Sequence, residues 1–278
     1  EVKSGYGLTL EAELRQLRAA ARAAREVGIH LVSTFLGAHE VPPEFAGRGD
    51  AYLDLVINQM LPRVAEERLA RYCDVFCEPG VFTVAQARRL LEAARRHGLV
   101  PKLHADELDG SGGAELAADI GAASADHLGA VSDAGIAALA RSDTVAVLLP
   151  GTMLFLGKRT QAPGRRLIDA GAAVALATDF NPGSSPGVSL PFMMNLGVSQ
   201  MGLRPAEAVI ASTVNGAAAV GEVAHRGQIA QGAMADLALF AVEDWREVPY
   251  WYGVNLVTQV WTAGSACPGG RPPVSYLA

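Results

Sequence analysis

The sequence predicts an α/β protein, a (β/α)8 TIM-like barrel lacking its first strand, followed by part of a small β-sandwich. Three observations predict it. Short apolar runs alternate with amphipathic helical stretches, the pattern of a parallel sheet covered on both faces. Nearly every run ends in a hydrogen-bonding or reactive group: Lys3-Ser4-Gly5-Tyr6, His39, Glu78, His104, His127 and Asp179. An open sheet concentrates such groups at one switch point, whereas a barrel gathers them from many strand ends at one face. With the run before Pro150 the strand ends number seven, and after the last long helix the pattern turns to short β-segments.

Each element has a local signal. Thr9 caps a helix that runs to about Val27, with Glu11 and Glu13 in its first turn and Gly28 beyond its end. Ile29 to Phe35 reads as a buried strand leading to His39. A helix from about Asp50 is interrupted or restarted near Pro62. Asp74 to Phe76 leads into Cys77-Glu78-Pro79-Gly80. Thr83 and Gln86 form a capping box for a helix that Gly98 closes. Leu99 to Leu103 delivers His104, and Ala122 to Ala125 delivers Asp126-His127. Ser132 to Arg141 is a short helix, and Val145 to Leu149 is a strand that stops at Pro150. Val174 to Ala177 delivers Thr178-Asp179, and Arg204 to Val220 is a long helix. Arg226 to Phe240 reads as two short strands around a Gly turn, and 248–263 as a Tyr/Trp/Val-rich strand. The expected division is a barrel over 1–222, a β-sandwich portion over 223–263, and a poorly ordered tail over 264–278.

The composition bounds the function. The chain has 278 residues, half of them hydrophobic, enough for one large core. Net charge is −6 with no Lys/Arg run, which argues against nucleic acid or an anionic membrane as partner. The absence of a long apolar stretch argues against a transmembrane helix. The first residues carry no signal region, lack a starting Met and begin in mid-pattern, which reads as a truncated cytoplasmic chain. Cys73, Cys77 and Cys267 form no C-x-x-C pair and read as free thiols.

His104 is followed by two carboxylates within three residues, in His104-Ala105-Asp106-Glu107. Alone it would pass for a histidine at the edge of the core. With His127 and Asp179 at later strand ends, it completes a set of imidazoles and a carboxylate suited to zinc or ferrous iron. Asp179 opens Thr178-Asp179-Phe180-Asn181-Pro182-Gly183-Ser184, where an Asx-turn is the plainer reading. Asn181, Gly183 and Ser184 could equally offer an amide, a close backbone and a hydroxyl to a ligand. Asp106 and Asp109 fit solvated loop carboxylates. His39 fits a surface loop, and Tyr6 fits packing. No G-x-S-x-G elbow, P-loop or dinucleotide fingerprint occurs, so water is the expected nucleophile.

Seven segments carry a resemblance: EVKSGYGLTLEAEL, STFLGAHEVPPEF, DVFCEPGVF, KLHADEL, SADHL, ATDFNPGSSP and GVNLV. In these the chain resembles the imidazolonepropionases, a family of the amidohydrolase superfamily. The resemblance implies an amidohydrolase barrel with a small β-sandwich, and a hydrolase acting on a carbon–nitrogen bond in a cyclic amide. It implies conversion of 4-imidazolone-5-propanoate to N-formimidoyl-L-glutamate in histidine degradation, with one divalent metal, zinc or iron. His104 and Asp179 match metal ligands of the family; its His-x-His pair and an arginine near the first strand have no counterpart here. Glu107 and His127 match the catalytic pair, with Asp179 able to accept a proton. Tyr6, His39, Glu107, Asn181, Gly183 and Ser184 match substrate-contacting positions. A homodimer is the expected assembly. Two other readings remain open: another amidohydrolase, such as a cyclic amidase or nucleobase deaminase, and an inactive fragment or non-catalytic binding scaffold.

Overall fold

The computed structural model describes residues 1–268. The chain forms two compact units, Glu1–Ala146 with Asp169–Ala172, and Val147–Ile168 with Ala173 onward.

The first unit is a parallel sheet with helical crossovers. Its strands are β1 (Val2–Lys3), β2 (Ser33–Ala38), β3 (Tyr72–Cys77), β4 (Val100–Pro101), β5 (Leu103–Ala105) and β6 (Ser124–His127). β1 pairs with β2, β2 with β3, β3 with both β4 and β5, and β5 with β6, all parallel. The register sets His104 level with Phe76 and Asp126, and Ala105 level with Cys77 and His127. Side chains alternate along a strand, so Lys3, Asp74, His104 and Asp126 can meet on one side. Leu14, Leu17, Leu61, Val64, Leu90 and Leu91 of the flanking helices are buried, as are Phe35, Val75 and Leu103 of the strands.

The helix signals act as read. Thr9 caps Leu10–Val27, and Gly28 ends it in a left-handed conformation with φ 71°. Thr83 and Gln86 close a capping box on Val84–Arg96, and Ser132 caps Asp133–Ala140. The chain stays helical through Pro62 by a wide turn. Val56–Met60 is π-helical, Leu61 donates to Val56 five residues back, and Leu61–Glu66 continues as α-helix. The wider turn relieves the clash of the proline ring with the preceding turn.

Several boundaries differ from expectation. Ile29 is half exposed and its N–H donates to Ala24 O, closing the helix end, so β2 starts four residues later than expected. Pro150 does more than stop a strand; it starts the helix Pro150–Phe155.

In the second unit, the end of β7 (Val145–Leu148) meets β8 (Val174–Leu176) through Ala177 N–H to Leu148 O. The expected helix 204–220 is two, Pro205–Ser212 and Val214–Ala219, broken at Thr213 with ψ −86°. Gly227 lies over that break, and a Cβ there would meet Thr213 O at 2.6 Å. Of the two strands expected in 226–240, only β9 (Leu237–Phe240) forms; 227–236 is turns, with Ile229 exposed. β9 pairs antiparallel with β10 (Val257–Thr262), which pairs with β11 (Ser265–Ala266). Where a poorly ordered tail is expected from 264, the short strand β11 forms, and 269–278 lie outside the described residues. Cys73, Cys77 and Cys267 are free thiols. Among the described residues no helix is long and apolar enough to cross a membrane.

Candidate functional site

In the first unit, β1, β3, β5 and β6 assemble a buried ionic layer. Lys3 Nζ lies 2.5 Å from Asp74 Oδ2 and 2.6 Å from Asp126 Oδ2. Buried Lys102 reaches Glu1 at 3.1 Å, and Glu1 accepts from Thr34. Burial disfavours the charge on Lys3, but Asp126, Asp74 and Glu1 outweigh it and lift its pKa well above the ordinary lysine value. Burial likewise opposes the Asp74 charge, and His104 with Lys3 overrides it, holding this carboxyl far below its usual range.

His104 sits on this layer. Its Nδ1 is 3.1 Å from Asp74 Oδ2, close but not aligned as a straight hydrogen bond. Burial alone would lower its pKa; the Asp74 carboxylate more than compensates and raises it. The His127 ring centroid is 5.0 Å away. Burial, then the charge of His104, push His127 well below the ordinary histidine value. His127 Nδ1 is buried without a hydrogen-bond partner, and Nε2 stands 3.6 Å from Glu107 Oε2.

Glu78, at the end of β3, holds the loop that carries Glu107. Its carboxylate accepts the backbone N–H groups of Glu107 and Leu108 at 3.1 Å and of Asp109 at 2.6 Å. Burial raises its pKa against the pull of those amides. Asp106 is not the solvated carboxylate its loop position suggests. It is buried, and it accepts N–H groups of Ser111, Gly112, Gly113 and Ala114, fastening the start of the helix Gly113–Asp119. Neither is His39 a plain surface histidine: half-buried, it binds Gly5 O through Nδ1 at 3.0 Å and packs edge-on against Tyr6 at 4.9 Å. Its centroid is 6.1 Å from that of His104.

The backbone is strained where these side chains are presented. Asp106, His127, Leu128 and, in the second unit, Asp179 all have φ between 49° and 79°. Left-handed backbone at non-glycine residues persists where the surroundings over-determine it, as at functional sites.

In the second unit, Asp179 follows β8, half-buried, and its Oδ2 accepts from Thr152 Oγ1 at 2.6 Å. Asn181 is committed to the loop. Its Oδ1 accepts from Gly183 N at 2.8 Å and Ser184 N at 2.7 Å, and its Nδ2 donates to Asp179 O at 2.7 Å. This is the Asx-turn, and Gly183 and Ser184 are its closing residues.

The structure therefore brings together His104, Glu107, His127, His39 and Tyr6 in one unit, and Asp179, Asn181, Gly183 and Ser184 in the other. Sequence reasoning missed the supports: Asp74, Asp126, Glu78 and Thr152. The available signal was charge inside apolar strands, in Tyr72-Cys73-Asp74-Val75 and Ser124-Ala125-Asp126. Asp74, His104 and Asp126 also lie close enough to suggest a cation site. The Lys3 ammonium already pairs with both carboxylates, which fits them as supports beneath His104.

A profile of the amidohydrolase family matches residues 2–267. The chain is 53% identical over 260 residues to an imidazolonepropionase of Brevibacillus brevis, covering 94% of this chain and 61% of that protein. It is 54% identical over 255 residues to an imidazolonepropionase of Geobacillus kaustophilus, covering 92% and 60%. The chain thus spans about 60% of the length of these curated relatives. Among solved structures, it is similar to an atrazine chlorohydrolase mutant of Arthrobacter aurescens complexed with zinc and atraton, with TM-score 0.72 and 15% identity, covering 98% of this chain and 68% of that one. A zinc-bound adenosine deaminase of Xanthomonas campestris gives TM-score 0.66 and 19% identity, covering 93% and 65%. These likenesses show the fold, a (β/α) barrel type with a separate small sheet.

Proposed function

The chain belongs to the amidohydrolase family, and we propose from that premise that it carries most of the catalytic machinery for hydrolysing 4-imidazolone-5-propanoate to N-formimidoyl-L-glutamate. The observation that carries the reading is the Glu107–His127 pair beside His104, in a chain 53% identical to a relative that bears the imidazolonepropionase name.

Each unit offers a residue of a type that suits a divalent metal, zinc or iron. His104 is a buried imidazole with a carboxylate at Nδ1, the support that a ligating histidine needs, and Asp179 is a carboxylate oriented by a hydroxyl. His104 and Asp179 are the ligands this chain would contribute, the second assigned by its Thr-Asp-Phe-Asn-Pro-Gly motif. When bound, such an ion polarises a carbonyl and makes hydroxide available near neutral pH.

The remaining roles fall to the chain's own groups. Glu107, its backbone fixed by Glu78, takes a proton from the attacking water and returns it to the ring nitrogen as the carbon–nitrogen bond breaks. His127, kept neutral by burial, has one N–H to donate toward oxygen charge developing at the ring carbonyl. Tyr6 and His39, packed edge-on, form an aromatic wall for a planar ring. Asn181, Gly183 and Ser184 shape the loop after Asp179 and are assigned to substrate contact by the motif they belong to. A cytoplasmic homodimer is the assembly this reading expects.

The test is a substrate panel with the full-length protein: imidazolone propionate, other cyclic amides, and aminated purines and pyrimidines. The reading expects turnover of the first with loss of activity on chelation. Preference for an aminated nucleobase, with ammonia release, would replace it with a deaminase.

A further inference from the structure

Asp74 lies within β3 with no exposed surface, and both of its oxygens are engaged. Oδ1 accepts the backbone N–H of Val75 at 2.7 Å and of His104 at 3.1 Å. Oδ2 receives Lys3 Nζ at 2.5 Å and stands 3.1 Å from His104 Nδ1. The aspartate thus holds His104 by its backbone and meets it again at the ring. The terminal torsion of histidine is broad, so that a contact at this distance can align. Lys3 is itself fixed from the far side by Asp126, whose Oδ1 accepts from Ser124.

An ionised carboxylate can only accept. Opposite it, Nδ1 carries the proton, and Nε2 keeps its lone pair. We propose that Asp74 is a positioning residue that selects the Nε2-ligating tautomer of His104 and fixes its ring, with Lys3 serving as the brace that orients Asp74. The proposal rests on the reading of His104 as a metal ligand, and it is separable from that reading in the metal-free protein.

Two measurements on the full-length protein test it. The first is long-range 1H–15N NMR of the metal-free protein at a pH where His104 is neutral, assigned with His104→Gln. The expected spectrum shows the proton on Nδ1; a proton on Nε2 overturns the proposal. The second is zinc affinity by chelator competition in Asp74→Asn and Asp126→Asn. Both substitutions remove one negative charge beside Lys3, but only the first touches the ring. Outer partners of ligating histidines are worth about 10–100-fold in metal affinity. Asp74→Asn is expected to bind zinc about tenfold or more weakly than Asp126→Asn. Equal losses would reduce Asp74 to a bulk electrostatic role and overturn the proposal. Should His104→Gln retain full zinc affinity, the ligand reading fails, while the NMR result still decides what Asp74 does to the ring.

Discussion

His127 Nε2, at the end of β6, and Glu107 Oε2, on the loop after β5, stand 3.6 Å apart. The separation leaves both groups able to reach a common reacting atom. Glu107 is therefore expected to move protons. Glu107→Gln keeps the shape and removes the base. It should lower kcat by about 100- to 10,000-fold with little change in bound metal, measured by steady-state kinetics and elemental analysis.

Asp106, next to Glu107 in sequence, has a different task. It accepts four backbone N–H groups and the Ser111 hydroxyl. Asp106→Ala strands those buried donors and should cost about 2–3 kcal/mol in urea unfolding. Asp106→Asn, which still accepts, should cost less.

The ionic layer makes a pH-dependent contribution. Folding lowers the pKa of Asp74 and Asp126 against burial, through Lys3 and neighbouring cations. Their stabilisation is complete above the ordinary aspartate value, about 3.9, and is lost as pH falls through the folded values. Folding raises Lys3, so its share is complete below the ordinary lysine value and is lost as pH rises through the folded one. The pairing of Lys3 with Asp74 and Asp126 should thus be constant from about pH 5 to 9 and weaken outside it, while the share of His104, raised by Asp74, is complete below about 6.5 and is lost as pH rises through its folded value. Lys3→Met leaves two buried carboxylates short of a partner and should cost about 3–5 kcal/mol at neutral pH, read from denaturant midpoints.

Thr152 donates to Asp179 Oδ2 and is wholly buried. Thr152→Val is nearly isosteric but cannot donate. Zinc affinity should fall about tenfold while thermal stability changes little. Unchanged affinity would argue against Asp179 as a ligand.

Much of this was legible in the chain. His104, His127 and Asp179 stood out because apolar runs ended in them, and strand ends place side chains at one face. Caps at Thr9 and Thr83 were legible because they act locally. The ionic layer was not, because Lys3 meets Asp74 and Asp126 across 71 and 123 residues, and register alone brings them level. Asp106 was misread for a related reason: its partners follow it in sequence, but its burial depends on the packing of β5 and the next helix. The break at Thr213 carried no Gly or Pro to mark it.

The most direct test of the central claim is product analysis in 18O-labelled water. The full-length protein should consume 4-imidazolone-5-propanoate and yield N-formimidoyl-L-glutamate with one labelled oxygen, in the carboxylate formed from the ring carbonyl. Glu107→Gln should yield almost none. Failure to consume this substrate, or product without the label, would contradict hydrolysis at that bond.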